Sequence, residues 1–397
     1  MKDEAMLFER VIIRDSEKWL KYIDNLKKPN DDFDRVENHD RAIRYITDCV
    51  DNYENFRFDA LSFILFLPSV ISSSIYTLFC NLFNKKSRCY DCIKIVESRD
   101  NSASSKRFEL PKEIENEVDS IYEYKVKRKI KFFTGKVNKL TFQILIRLIK
   151  RNPLAFYTNL SVFAHLGLIN GIIKEYAPKM IITMESENDN TSSLMTYACE
   201  KQGVEYINLM HGDTWVNPMH CNVRFSRFYV WDPIYIEQYV RTGSPRESFR
   251  LYSPERFELN INPNIDKDFF LTYYLQGQEE DTLKKIRDIL VGFQKRGKKC
   301  CIRCHPRATD VDAVKAIFMN SGISEEDYNS ISLKQSFERT EYVVSSYSTV
   351  LSEAFENKVK CAIDDVTDTD TFITLKKLLY INAERLPYRL SKLIQNN

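Results

Sequence analysis

From residue 178 onward, apolar positions fall into short blocks separated by stretches with a helical repeat. Lys179 to Thr183, Val204 to Met210 and Arg227 to Trp231 are near-continuous apolar runs that predict buried strands. Thr191 to Lys201 and Ile234 to Thr242 space their apolar residues as amphipathic helices do, the second stopped by Gly243. A turn-rich segment, Ser253-Pro254 to Pro263-Asn264, then reads as an interdomain linker. The rhythm resumes with a strand at Phe269 to Leu275, a helix at Glu279 to Lys295, a strand at Lys299 to Ile302 and a helix at Val311 to Phe318. Tyr342 to Val344, Val350 to Phe355 and Val359 to Ile363 give strand, helix and strand, and Asp370 to Gln395 is a helical tail. Strands alternating with helices of this length imply parallel βαβ units, and 397 residues suffice for two such domains.

The first third of the chain is patterned differently. Residues 1–56 read as polar helices with apolar spacing at Trp19, Leu20, Tyr22 and Ile23, then at Ile43, Tyr45 and Ile46. Ala60 to Asn84 carries no charged residue and is followed by Lys85, Lys86 and Arg88. Its length could cross a bilayer, but Pro68 and the serines at 72 to 74 favour a hydrophobic surface or a buried helical hairpin. Residues 98–106 read as a Ser-rich loop. Val137 to Arg151 sets apolar residues on one helical face with basic ones beside it, as a membrane-interface helix does.

Charge distribution supports that reading more than net charge does. The formal total is +2, yet Lys125 through Lys174 holds eleven Lys or Arg and no acid. An anionic partner such as a lipid headgroup layer fits this window. The expected organisation is an acceptor-side domain over 1–254, with a membrane-associating part at 57–151 and a Rossmann-like part at 176–254. A nucleotide-binding Rossmann-like domain follows over 255–382, then a terminal helix over 383–397. Met1-Lys2-Asp3-Glu4 has no secretion-signal pattern, and ten irregularly spaced cysteines read as reduced thiols, which predicts a cytoplasmic setting. Cys301-x-x-Cys304-His305 formally matches a haem-attachment pattern, but it lies on a predicted buried strand.

Two strand ends carry the candidate chemistry. Arg303-Cys304-His305-Pro306-Arg307 and Ser345-Ser346-Tyr347-Ser348-Thr349 each follow a buried strand and precede a helix. Ligands of open α/β sheets sit at the carboxyl ends of strands, and helix N-termini add unpaired N–H donors there. His305, Pro306, Arg303, Arg307, Ser345, Ser346, Ser348 and Thr349 are therefore candidates for holding a nucleotide phosphate, with Gln276 at the end of the preceding strand. In the first half, Glu185 and Glu187 follow one strand, and His211-Gly212-Asp213 follows the next. His211, or a carboxylate among Glu185, Glu187 and Asp213, is the candidate base.

The pair of motifs resembles the His-Pro and Ser-Ser/Thr motifs of bacterial sialyltransferases and capsule polysialyltransferases. It is also similar to features of Kdo transferases and of CDP-glycerol glycerophosphotransferases. The resemblance covers roughly residues 178–365. It implies a GT-B fold, two Rossmann-like domains whose parallel sheets face each other across a cleft. By the same resemblance His305, Ser345 and Ser346 would contact the phosphate of a cytidine nucleotide. Met210-His211-Gly212 stands where the sialyltransferases carry an acidic pair, and this is nearer the Kdo-type and glycerophosphotransferase pattern.

The resulting expectation is an inverting glycosyltransferase with a helical N-terminal region. It would move a CMP-linked sugar of the sialic acid or Kdo type to a cell-surface polysaccharide or lipo-oligosaccharide. Expected partners are the nucleotide sugar, a glycan or lipid-linked acceptor and an anionic membrane surface, with the protein peripheral on the inner face of the cell membrane. No metal or other cofactor is expected. A polyol-phosphate transferase using CDP-glycerol or CDP-ribitol is the nearest alternative, and a basic nucleic-acid-binding protein the more distant one. The sequence has no Walker A, G-x-G-x-x-G or H-E-x-x-H motif.

Overall fold

The computed structural model describes residues 16–26, 28–48, 55–82, 88–97, 108–126, 136–184, 191–306 and 308–396. They form two compact units: residues 17–211 with 216–253, and Gly212–Trp215 with everything from Pro254 onward. Each unit is built on a six-stranded sheet in which every pairing is parallel. The expected α/β class with a helical N-terminal region is the one observed.

In the first unit the strands are β1 (Cys92–Glu97), β2 (Ile121–Val126), β3 (Met180–Met184), β4 (Glu205–Leu209), β5 (Arg227–Val230) and β6 (Phe249–Leu251). They lie in the order β2-β1-β3-β4-β5-β6. The segment 57–151 is thus not helical throughout. It contributes β1 and β2, with Cys92 in register with both Ile121 and Met180. Arg227 on β5 is buried and locks this edge of the core. It forks onto both carboxylate oxygens of Glu117 (2.9 and 2.8 Å) and also pairs with Glu205 on β4.

The N-terminal helices Ser16–Asp24 and Asp32–Asp48 dock on the same unit through charge. Arg224 reaches Asp32 (2.9 Å) and Arg241 reaches Asp24 (3.1 Å), while His39 Nδ1 lies 2.9 Å from the Cys221 carbonyl. Asp31 and Asp34 take Arg147 and Arg151 from the Lys139–Arg151 helix. Two of the basic residues expected to face a membrane therefore serve the fold.

The Pro233–Arg241 helix starts with Pro at its first turn and an Asp232 cap whose side chain accepts from Ile234 N. It ends at Gly243, which has φ +97° and passes so close to Asn222 that a Cβ would stand 2.5 Å from Oδ1. Gly243→Ala is expected to cost about 1–3 kcal/mol, read as a lower urea midpoint with unchanged slope.

The second unit holds β7 (Phe269–Tyr274), β8 (Cys300–Arg303), β9 (Ser324–Glu326), β10 (Thr340–Ser345), β11 (Lys360–Ile363) and β12 (Tyr388–Arg389). Its core joins Leu271, Tyr273, Ile302, Val344 and Ala362 on the sheet to Leu283, Ile286, Leu290 and Phe293 of the Glu280–Lys295 helix. Strands covered on both faces read as near-continuous apolar runs, and β7 and β8 are buried at every position. Leu390 and Leu393 of the terminal helix pack into this core as well.

Candidate nucleotide-phosphate site

The second sheet runs β9-β8-β7-β10-β11-β12, so the chain enters in the middle at β7. It walks outward through β8 to β9, then crosses back and walks the other way from β10. Strand order reverses between β7 and β10, and at such a point the loops at the carboxyl ends diverge and leave a crevice. The His-Pro corner follows β8 and the Ser-Ser corner follows β10. These strands flank β7, two inter-strand spacings or about 10 Å apart.

Gln276, just past β7, fastens the two corners together. Its carbonyl accepts from Thr309 Oγ1 (3.0 Å), and that hydroxyl in turn accepts from the His305 N–H (2.8 Å). Its side-chain amide donates to Ser348 Oγ (2.8 Å). Gln278 adds a longer contact to Ser346 Oγ (3.4 Å) and accepts from the Gln276 N–H (2.7 Å). Thr309 and Gln278 carried no motif signal, because each acts only by bridging neighbours.

The tautomer of His305 follows from its surroundings. Its Nδ1 lies 3.0 Å from the Ala308 backbone N, which can only donate. Nδ1 therefore accepts, and in the neutral ring the proton sits on Nε2, a donor suited to an anionic oxygen. Pro306 is exposed and His305 is half-buried. Across the crevice, Ser348 caps the Thr349–Glu356 helix, and its N–H donates to the Tyr380 hydroxyl (3.0 Å). Burial, reinforced by the charge of Asp213, pushes that hydroxyl well above the ordinary tyrosine range, so it stays protonated. Ser346, Ser348 and Thr349 are half-buried and keep partial access to solvent.

Three expected site residues are committed elsewhere. Ser345 is fully buried and its hydroxyl donates to the Tyr274 carbonyl (2.8 Å), so it braces β10 against β7 rather than meeting a ligand. Arg303 is also buried. It pairs with Glu326 (3.2 Å) and donates to the Ile331 carbonyl (2.8 Å), a structural ion pair in place of a phosphate contact. Asp213 accepts from Ser352 (2.7 Å) and Asn382 (2.8 Å), while its N–H donates to Thr349 Oγ1 (3.1 Å). A carboxylate held this way positions the Gly212–Trp215 segment and is poorly placed as a base. Gly212 itself lies where a Cβ would come within 3.2 Å of Thr349 Oγ1. Glu185, Glu187 and Arg307 lie outside the described residues.

In the first unit, His211 stands two residues beyond the end of β4, half-buried. Met210 before it is buried, with its N–H donating to the Tyr229 carbonyl (3.0 Å) and its carbonyl 3.4 Å from the Tyr252 hydroxyl. The cysteines of the His-Pro strand are interior thiols. Burial pushes Cys300 and Cys304 up to about 12, which keeps them protonated and unreactive at neutral pH.

No family model and no curated protein matches the chain. Among solved structures, a variant of the wall teichoic acid polymerase TagF is 12% identical, with 85% of this chain and 88% of that one covered and a TM-score of 0.45. A UDP-GlcNAc 2-epimerase from Neisseria meningitidis, bound to UDP-GlcNAc, is 7% identical over 68% of this chain and 82% of that one, with a TM-score of 0.43. A glycosyltransferase from Rickettsia africae is 11% identical over 70% and 80%, with a TM-score of 0.39.

Proposed function

We propose that this chain is an inverting glycosyltransferase using a nucleotide-linked sugar, with the phosphate of the donor held at the β7–β8–β10 crevice. The observation that carries the reading is Gln276, whose carbonyl and side chain join the His-Pro and Ser-Ser corners at the reversal of strand order. His305 Nε2–H and the hydroxyls of Ser346, Ser348 and Thr349 would meet the phosphate oxygens, with Arg307 beside them in sequence. His211 is the proposed base. It takes the proton from the acceptor hydroxyl as that oxygen bonds to the anomeric carbon. The bond from that carbon to the phosphate oxygen breaks on the opposite face, and the nucleotide leaves with the electron pair. The donor in this reading is CMP-linked, of the sialic acid or Kdo kind, and the acceptor is a capsular polysaccharide or lipo-oligosaccharide on the cytoplasmic side of the membrane. In this reading the chain is a GT-B enzyme.

Melting curves with CMP, CDP, UDP and GDP test the nucleotide site. CMP or CDP at a hundred times its dissociation constant should stabilise the protein by about 2–3 kcal/mol, and His305→Ala should weaken the effect. No shift with any of the four would end the reading.

A second reading, a polyol-phosphate transferase, rests on Met210-His211-Gly212, which resembles the glycerophosphotransferase pattern as well as the Kdo-type one. That reaction retains the phosphate in the product, so phosphorus in the polymer after transfer from CDP-glycerol would select it.

A further inference from the structure

The Asn55–Leu82 helix carries its polarity inside out. Ser62, Ser69 and Ser73 face the protein with at most 5% exposure, while Ile64, Leu67, Ile75 and Leu78 each remain more than 60% exposed. Positions 64, 67, 71, 75 and 78 repeat at helical spacing, so these side chains and Ile71 form one continuous outward stripe. In water the burial would be the reverse. Three hydroxyls of this helix are satisfied within it. Ser72, Ser74 and Thr77 donate back to the carbonyls of Ser69, Val70 and Ser73 in their own helix. Small inward residues beneath a large apolar outer face are what a helix packed on protein and bathed by lipid requires.

The helix is fastened along its length. Phe63 meets Phe156 edge-on (4.8 Å between centroids), and Phe66 and Val70 pack against Val137, Leu145 and Phe163. Further along, Thr77 Oγ1 accepts from the Val137 N–H (2.9 Å). These anchors run from residue 63 to 77, about 21 Å of helix. A helix held to its own domain over that distance lies along a surface and does not depart to cross a bilayer. The stripe also continues onto neighbouring elements. Phe142 and Ile146, one turn apart on the Lys139–Arg151 helix, are exposed, as are Leu154 and Tyr157. Lys139 and Lys150 on the same helix are exposed. Lys85, Lys86 and Arg88 follow the apolar segment in sequence.

We propose that this face is a monotopic docking surface for the headgroup–acyl boundary of an anionic bilayer. The apolar stripe enters one leaflet, and the lysines sit at the headgroup level. A stretch of 25 residues without a charge, followed by cations, matches that layered chemistry. The inference goes beyond the transfer reaction and stands without it, because none of the residues assigned to the nucleotide site lies on these helices.

Flotation of the full chain on vesicles tests it. Wild-type protein should float with vesicles of equal parts phosphatidylglycerol and phosphatidylcholine. Ile64→Ser, Leu67→Ser, Ile71→Ser and Ile75→Ser combined should weaken binding by at least about tenfold. Lys139→Glu with Lys150→Glu should weaken it by about twentyfold on the anionic vesicles and little on pure phosphatidylcholine. Both variants should keep the wild-type melting temperature, since the changed side chains are exposed. The proposal is overturned if wild-type protein floats with neither vesicle, or if the serine variant floats as well as wild type. It is equally overturned if light scattering shows a dimer that the serine substitutions dissolve while flotation is absent. Absence of any nucleotide-induced melting shift would leave the flotation result standing, so the two readings fail separately.

Discussion

His211→Ala is expected to lower kcat by about 10²–10⁴-fold while nucleotide affinity stays near the wild-type value. The split follows from where the residue stands. It lies at the carboxyl end of β4 in the first unit, whereas the groups assigned to the phosphate all belong to loops of the second sheet. Asp213 does not compete for the role, since its carboxylate is already accepting hydrogen bonds from Ser352 and Asn382. Initial rates of CMP release and equilibrium titration of the same nucleotide make the comparison. If turnover survives in His211→Ala, the base lies elsewhere, and Glu185 and Glu187 become the residues to substitute.

Arg303→Ala should cost about 3–5 kcal/mol of stability, the penalty for stranding a buried carboxylate. Glu326 is 2% exposed, and Arg303 is its nearer cation (3.2 Å), with Ser336 as a further donor and Arg339 at 3.9 Å. The pair sits across neighbouring strands, Arg303 of β8 opposite Glu326 of β9. Joint replacement by well-packed apolar residues, Arg303→Met with Glu326→Leu, should recover most of the loss. Guanidinium denaturation of the single and double variants measures both numbers. Should Arg303→Ala keep full stability but lose its response to nucleotide, the arginine would return to the phosphate site.

The reason Arg303 misleads in the sequence is also the reason part of the fold does. Its partner lies on β9, Ser324 to Glu326, a strand with no apolar residue and no turn signal, which exists only because β8 pairs with it. β12 is two residues long and equally silent. By contrast β4, β5, β7, β8, β10 and β11 sit inside their sheets, and burial on both faces forces the apolar runs that make them legible. β2 alternates polar and apolar residues as an edge strand does, and its basic surroundings pointed toward membrane helices instead. At the site, strand ends and hydroxyls were readable, but direction was not. Ser345 closes β10 and turns inward, while Ser346 stands one step past it and is half-exposed. Nothing in a run of serines tells which one the pleat hides.

A single glutamine spanning two loops makes donor preference and phosphate grip separable to an engineer. As long as position 276 keeps its glutamine side chain, the frame stays closed, since the side-chain amide reaches Ser348 while the backbone carbonyl holds Thr309. Shortening the side chain at 276 would release the Ser348 loop, while the backbone carbonyl would still accept from Thr309.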